Sequence, residues 1–529
     1  MNPLLLTDFY KVHHNKMYPD GMTKLYSNLT ARKSKIPGVD KIVFFGLQHF
    51  VLTYLIEAFN KDFFLKSYYK EGDSVVIGNI DTSLGREAIK KAMSINYSKH
   101  IGVDTKHIEA LWDLGYLPIE IKAIPEGSRV PIGVPCLTIT NTHPDFGWLT
   151  NYLETLMSCM LWQPITSATI AYEYKKLLTK YALETTGSAD FVQWQGHDFS
   201  MRGMSSVESA ILSGMAHLLS FTGTDTIPAI YQLESSYDAT GLIGASVPAT
   251  EHSVMCMGEK ESEIQTFGRL LKLYPTGILS VVSDTWDLWR VCTEYLPALK
   301  NEILARNGKL VIRPDSGDPV NIICGDENPY SAKTSAEWKG VIELLWDIFG
   351  GTIVKGNDGK EYKQLDSHIG AIYGDSITLE RADQICRRLQ AKGFASTNLV
   401  LGIGSYTYQY NTRDTFGFAV KATYGEVLER CDSIQKCHNG SGECEKVYKC
   451  LSPFSKGREI WKDPVTDDGT KRSKKGLLQV IGDSEGNIIG VKDQCIPAEE
   501  QLGMLQTVFK DGKLIRSSTL QEIRNRLKV

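Results

Sequence analysis

The sequence predicts an α/β protein. An irregular (β/α) barrel spans residues 166–424, and an additional α+β domain is built from the N- and C-terminal flanks, 1–165 and 425–529. Three observations predict this. In the middle of the chain, apolar β-branched or aromatic stretches end repeatedly on clusters of Gly, Asp, Arg or His, each followed by a helix-like segment. The stretches are nearly continuous in apolar residues, as expected of parallel strands buried on both faces. The polar corners recur at about 30 residues, the length of one βα unit. An open, doubly wound sheet is the alternative arrangement.

The N-terminal flank mixes helices with the strand-like "YLPIEIKAIPEGSRVPIGVPCLTITNT" (116–142). Its most apolar run, "KIVFFGLQHFVLTYLIEAF" (41–59), contains Gln48, His49 and Glu57, so a buried helix fits better than a membrane span. The start, "MNPLLLTDFYKVHH", has no basic segment before its short apolar run, and a signal peptide is not expected. The barrel units are "FVQWQGHDFSMRG" (191–203), "SFTGTDT" (220–226), "IGASVPATEHS" (243–253), "ILSVVSDTWD" (278–287), "LVIRPDSGDP" (310–319), "IGAIYGDSIT" (369–378) and "LVLGIGSYT" (399–407). Between the fifth and sixth, "GGTIVKGNDGKEYKQLD" (350–366) reads as an inserted hairpin with an Asn-Asp-Gly turn. The C-terminal flank carries hairpin signals in "VIGDSEGNIIGVK" and "VFKDGKLI", and a last helix with Ser518 and Gln521 in capping-box spacing.

Composition narrows the function classes. The chain has 529 residues, 42% hydrophobic and 23% charged, with a formal net charge of −4. That is a soluble globular profile with no basic field for nucleic acid or membrane lipid. The 11 cysteines mostly stand alone in apolar contexts, such as Cys159, Cys256 and Cys386, which suits buried thiols in a reducing cytoplasm. Cys431, Cys437, Cys444 and Cys450 lie in a segment, 430–456, at spacing C-x5-C-x6-C-x5-C with His438 inside. Structural zinc sites use tighter pairs, so free thiols, or disulfides in the purified protein, are expected there and no metal site.

Barrel chemistry sits at the C-terminal ends of the strands, where the polar corners fall. The inventory there is Arg202, Arg313 and Arg413, then Asp225, Asp284, Asp315 and Asp375, with His197, His252, Gly374, Gly402 and Gly404. Guanidinium groups and glycine-rich turns suit phosphate oxygens, and carboxylates suit ribose hydroxyls or a metal. Together they point to a phosphorylated sugar. Each motif has a plainer reading: "RPDSGDP" as a turn with a salt bridge, His252 as a structural histidine, "KRSKKG" (471–476) as a solvated loop, "GTDT" as a capped helix start. Their co-occurrence at strand ends favours a site. Walker A, HExxH and serine-elbow motifs are missing from the sequence.

In order along the chain, "LLLTDFYKVHHNKMYP", "GHDFSMRGMSS", "GTDT", "SVPATEHS", "SVVSDTWD", "IRPDSGDP", "YGDSIT", "TRDTFGFAVKA" and "KDPVTDDGTKRSKKG" resemble the nicotinamide phosphoribosyltransferase family. The resemblance implies the type II phosphoribosyltransferase fold and a homodimer with shared sites. It also implies transfer of phosphoribosyl from phosphoribosyl pyrophosphate to nicotinamide, releasing pyrophosphate. By the same resemblance Phe199 stacks on the pyridine ring, the partner subunit's Tyr10 covers its other face, and Asp225 accepts a hydrogen bond from the carboxamide. Arg202 and Arg313 line the ring and phosphate region, and Asp315, Gly374 and Asp375 face the ribose. The turn from Gly404 to Ser405, with Arg413, takes the 5′-phosphate; Arg32, Lys421, Lys462 and Lys471 match phosphate-contacting positions. His252 matches a histidine phosphorylated by ATP, with Asp284 the candidate to orient it. ATP is thus an expected co-substrate, and Mg²⁺ is expected to bind mainly through substrate phosphates. The chain departs from the family pattern at Ser405 and Tyr406, where glycines are usual, at Ala419, where a serine is usual, and in the cysteine-bearing insertion. Other readings are a nicotinate phosphoribosyltransferase, a non-catalytic sugar-phosphate binder, and a metal-dependent barrel hydrolase. The full Arg/Asp set disfavours the second, and the lack of a His-x-His pair at any strand end disfavours the third.

Overall fold

The computed structural model describes residues 1–528 apart from 72–73, 80–85, 103, 329, 331, 375, 429–432, 438–443, 449–454, 468 and 470, and gives backbone alone for 67–71, 74–79, 433–437 and 444–448. The chain forms two compact units, one of residues 1–166 and 412–519, the other of 167–411 and 520–529.

The first unit is built on a seven-stranded antiparallel sheet. Its strands run in the order Ser455–Glu459, Ala419–Leu428, Met22–Thr30, Pro135–Asn141, Ile119–Ala123, Gln506–Lys510, Lys513–Leu514. The stretch 116–142 supplies two of these strands and the short Arg129–Pro131. Ile119–Ala123 alternates buried and half-buried residues, the pattern of a strand with one face on a core. In the apolar run 41–59, Lys41–Val43 is a strand, and the chain is helical from Leu47 to Phe63 with Leu55, Phe59 and Phe63 buried. Both C-terminal hairpins form, Leu477–Gly482 with Ile488–Cys495 and Gln506–Lys510 with Lys513–Leu514.

The barrel ends earlier than residue 424. Strand Ala419–Leu428 pairs along its length with Met22–Thr30, from Thr30 opposite Ala419 to Met22 opposite Val427, and these backbone bonds assign it to the first unit. The last helix, Leu520–Arg526, goes the other way. Its Arg524 guanidinium donates to the carbonyls of Leu218 (2.7 and 2.9 Å), Ile243 (2.6 Å) and Leu242 (3.3 Å). The capping box expected from Ser518 and Gln521 is not formed. The helix starts at Leu520, Gln521 donates to Asn525 one turn on, and the Ser518 N–H donates to Gln48.

The second unit is the barrel. Its strands are β1 (Gly196–Asp198), β2 (Gly223–Thr224), β3 (Thr276–Val282), β4 (Asn307–Arg313), β5 (Ile369–Tyr373) and β6 (Leu399–Ile403). They pair in parallel in the order β3-β4-β5-β6-β1-β2. The segment 245–250 closes the ring. Ala245 bridges β2 at Gly223 and Ala249 bridges β3 at Ser280, both in parallel. Ala245 N–H donates to Thr222, Thr224 N–H to Ala245, Ser280 N–H to Pro248 and Thr250 N–H to Ser280. All seven sequence units therefore supply a staves' worth of backbone, and closure excludes the open doubly wound sheet. Helices Val207–His217, Ala336–Phe349 and Leu379–Ala391 start where Ser206, Ser335 and Thr378 side chains accept from backbone N–H groups. The inserted hairpin forms as read, with Gly351–Lys355 against Glu361–Leu365.

Of the cysteines singled out, Cys386 is buried, whereas Cys159 and Cys256 are exposed. The latter two lie on the outward faces of their helices, which an apolar sequence context does not reveal. Cys431 and Cys450 lie outside the described residues; Cys437 and Cys444 oppose each other in a two-stranded antiparallel ladder. Among the described residues no helix is long and apolar enough to cross a membrane.

Candidate active site

The rim at the C-terminal ends of the barrel strands collects the predicted residues of the second unit. The end of β1 presents His197, Asp198 and Phe199. Asp198 is fully buried and acts as a brace: it accepts from Ser200 N–H, from Thr226 Oγ1 at 2.7 Å and from Thr224 Oγ1 at 3.3 Å. This holds the turns after β1 and β2 together. It places His197 Nε2 2.9 Å from Asp225 Oδ1, which also accepts from Ser246 Oγ at 2.5 Å. The Phe199 ring lies over His197, centroids 4.5 Å apart. Burial would raise the Asp225 carboxyl, but the hydrogen bonds from His197 and Ser246 and the Arg313 charge outweigh it and hold the group below its ordinary value.

Two glycines let the rim close up. A Cβ on Gly223 would stand 2.7 Å from His197 Nδ1, and one on Gly402 would stand 2.8 Å from the Phe199 ring. Gly374 lies against Asp315, since a Cβ there would be 2.6 Å from Asp315 Oδ1. Gly203 abuts Ser405, so the short turn carrying Arg202, which is exposed, meets the turn after β6. Gly404 itself faces open space. Asp375 lies outside the described residues.

The end of β4 carries Arg313 and Asp315. Arg313 donates to the Thr250 carbonyl at 2.7 Å, while its buried Nε has no partner among the described residues. Burial pulls this guanidinium below its ordinary value, against the opposing pull of Asp315, Asp225 and Asp284. His252 opens a short helix after the closing segment and is half exposed. Its Nδ1 is 3.3 Å from Thr285 Oγ1 and its Nε2 3.9 Å from Asp315 Oδ2.

Asp284 does not orient His252. Its Oδ2 accepts from the N–H groups of Asp315 and Ser316, both at 2.7 Å, and from the Ser316 hydroxyl, so it ties the β3 corner to the β4 corner. Its Oδ1 is buried without a partner among the described residues. Two backbone donors and a hydroxyl outcompete one imidazole for a carboxylate, and adjacency of β3 and β4 puts those donors within reach. Thr285 takes the place beside His252. Neither Thr285 nor Ser246, which opens the "SVPATEHS" motif, carries a sequence signal of its own, and the fold alone gives His197 a partner.

The remaining residues belong to the first unit. Arg32 leaves strand Met22–Thr30 and donates from Nε to the Gly417 carbonyl at 2.9 Å. Lys421, half-buried on the neighbouring strand, pairs in register with Asn28. Burial lowers its ammonium, Glu154 opposes this, and the charges of Arg32, Lys462 and Arg413 lower it further. The other three cations thus lie close enough to Lys421 to act on its charge. Lys462 is held by Ser473, which accepts from its N–H at 2.8 Å, and Lys471 N–H donates to Asp467 at 2.6 Å. Ala419, at the start of its strand, offers no hydroxyl. Tyr10 is 61% exposed on a short helical turn, beside the likewise exposed Phe9.

Residues 194–440 match the nicotinate phosphoribosyltransferase family, and residues 2–66 match the N-terminal domain of nicotinamide phosphoribosyltransferase. The chain is 50% identical to the nicotinamide phosphoribosyltransferase of Acinetobacter baylyi, an alignment that covers 100% of this chain and 97% of that one. It is 37% identical to the nicotinamide phosphoribosyltransferase of Mycoplasma pneumoniae, over 79% of this chain and 88% of that one. Among solved structures, nicotinate-nucleotide pyrophosphorylase from Pyrococcus furiosus superposes with a TM-score of 0.52 at 12% identity, covering 99% of this chain and 95% of that chain, which shows a common fold. The chain belongs to the nicotinamide phosphoribosyltransferase family.

Proposed function

We propose that the protein transfers phosphoribosyl from phosphoribosyl pyrophosphate to nicotinamide, giving nicotinamide mononucleotide and pyrophosphate for NAD salvage. The observation that carries this reading is the Asp225 carboxyl at the barrel rim, hydrogen-bonded on one oxygen to Ser246 and to a His197 whose ring lies against Phe199. A carboxylate accepts hydrogen bonds and does not donate. It satisfies the NH₂ of a carboxamide but meets a nicotinate carboxylate with like charge. A lost charged hydrogen bond costs about 1.5–3 kcal/mol, enough for a preference of tenfold or more.

Phe199 stacks on the pyridine, and the partner subunit's Tyr10 covers the other face in a homodimer with shared sites. Arg202 and the orphan Nε of Arg313 face the ring and phosphates; Asp315, Gly374 and Asp375 face the ribose. Gly404 and Ser405, and the cations Arg413, Lys421, Arg32, Lys462 and Lys471, are assigned to substrate phosphates. As the pyridine nitrogen bonds to the anomeric carbon, the C–O bond breaks and pyrophosphate leaves with the electron pair. No protein nucleophile is required; positioning and cations on the leaving group lower the barrier. Among the described residues no three His, Cys, Asp or Glu side chains are grouped to hold a metal. The hard carboxylate oxygens of Asp315 and the unpartnered Asp284 Oδ1 would suit Mg²⁺ arriving on substrate phosphates, and the ion would supply positive charge for the leaving group. His252 takes the γ-phosphoryl of ATP on a ring nitrogen, releasing ADP, and thereby drives synthesis. The reaction is placed in the cytoplasm, where the exposed thiols of Cys159 and Cys256 stay reduced.

The test is kcat/KM for nicotinamide and for nicotinic acid, with phosphoribosyl pyrophosphate, with and without ATP. The unmodified protein is expected to prefer nicotinamide at least tenfold, and Asp225→Ser to erode that preference. Equal use of both pyridines by the unmodified protein refutes the reading in favour of a nicotinate or unselective enzyme.

A further inference from the structure

We infer that His197 is a positioning residue that sets pyridine selectivity by occupying one oxygen of Asp225, so that the other is presented to the substrate. The inference rests on the functional reading above and deepens it. Asp225 has two acceptor oxygens. Oδ1 receives both protein donors, His197 Nε2 at 2.9 Å and Ser246 Oγ at 2.5 Å. Oδ2 has no protein partner among the described residues, and the side chain is half exposed while that of His197 is nearly buried. A carboxylate with one satisfied oxygen is fixed in rotation and offers one directed acceptor; an unheld one turns and is solvated on both oxygens.

The histidine can hold this position because its surroundings are built for it. Gly223 leaves room for the ring, since a Cβ there would stand 2.7 Å from Nδ1. Phe199 covers the ring at 4.5 Å. A proton on Nε2 is required, because an ionised Asp225 can only accept. With the proton on Nε2 turned to Asp225, Nδ1 is set against Gly223. His197 therefore acts on the substrate only through Asp225, together with the stacking ring it supports.

The expected signature is a rise in KM for nicotinamide with saturation by phosphoribosyl pyrophosphate unchanged. In His197→Leu the nicotinamide-to-nicotinate ratio of kcat/KM should fall about tenfold, the effect of one charge-assisted hydrogen bond. His197→Gln, whose side-chain N–H₂ reaches about as far as Nε2, should recover most of the ratio, which restoring bulk alone would not do. Ser246→Ala, at an exposed position, removes the second donor to the same oxygen and should lower the ratio by a smaller factor, so the inference stays testable if the buried His197→Leu variant does not fold. Asp225→Ser is measured alongside. An unmodified protein without preference sinks the functional reading itself. A preference lost in Asp225→Ser but retained in folded His197→Leu, or in Ser246→Ala where the former does not fold, overturns the His197 inference alone.

Discussion

At the scale of single residues, the rim holds two histidines in different surroundings. His197 is nearly buried, donates to a carboxylate and has the Phe199 ring tilted against it. His252 is half exposed, with Thr285 beside one nitrogen and Asp315 3.9 Å from the other. Only the second is open to a γ-phosphoryl group. His252→Ala is expected to abolish ATP hydrolysis and ATP stimulation while slow ATP-independent synthesis survives. Undiminished ATP coupling in that variant, followed as ADP release per nicotinamide mononucleotide formed, would exclude His252. Both histidines could be placed at strand ends from the sequence, because each falls in a polar corner two or three residues after an apolar stretch. Which partners His252 would meet could not, because Thr285 and Asp315 lie 33 and 63 positions away and come near only when strands β3 and β4 align.

At the scale of elements, the C-terminal helix is joined to the barrel by one guanidinium. Arg524 makes four hydrogen bonds to three carbonyls, at the end of helix Val207–His217 and at the start of the closing segment. Burial pulls it down to about 10, yet it stays cationic near neutrality. Removing it leaves carbonyls at a barrel seam without their donor, at about 2–4 kcal/mol. Arg524→Ala should lower the midpoint of thermal unfolding by several degrees while leaving the nicotinamide-to-nicotinate ratio within twofold. A variant as stable as the parent would show that the helix is held by its apolar face, Leu520, Ile523 and Leu527, which are buried. The hairpins and βα units were legible because turn chemistry and apolar runs are local. The capping box at Ser518 was not formed because Gln48, 470 positions away, meets the Ser518 backbone.

At the scale of the whole molecule, the proposed dimer makes a quantitative prediction. If each site takes Asp225 from one subunit and Tyr10 from the other, Tyr10→Ala and Asp225→Ala should complement. In a fully exchanged equal mixture, half the dimers are mixed and each holds one intact site, so activity should return to about a quarter of the parent level. Mixing that recovers nothing, or a single active species of monomer mass in sedimentation, counts against shared sites. Tyr10 and Phe9, both exposed on one short turn, are the aromatic surface such a partner would cover.

The class of the fold, its seven βα units in order, the inserted hairpin and the identity of the polar residues at the strand ends can all be read along the chain. These follow from local rules: apolar continuity, turn residues, and the rule that barrel chemistry gathers where strands end. Long-range contacts set how the ring closes through 245–250, that strand Ala419–Leu428 joins the flanking sheet, and that Asp284 braces Asp315 and Ser316 instead of His252. Tertiary structure alone decided that Cys159 and Cys256 face outward and that Asp225 is held by His197 and Ser246. For the hydrogen-bonded features the reason is common. A hydrogen-bonding group takes whichever partner the fold brings within about 3 Å, and residues distant in sequence compete for that place on equal terms with near ones.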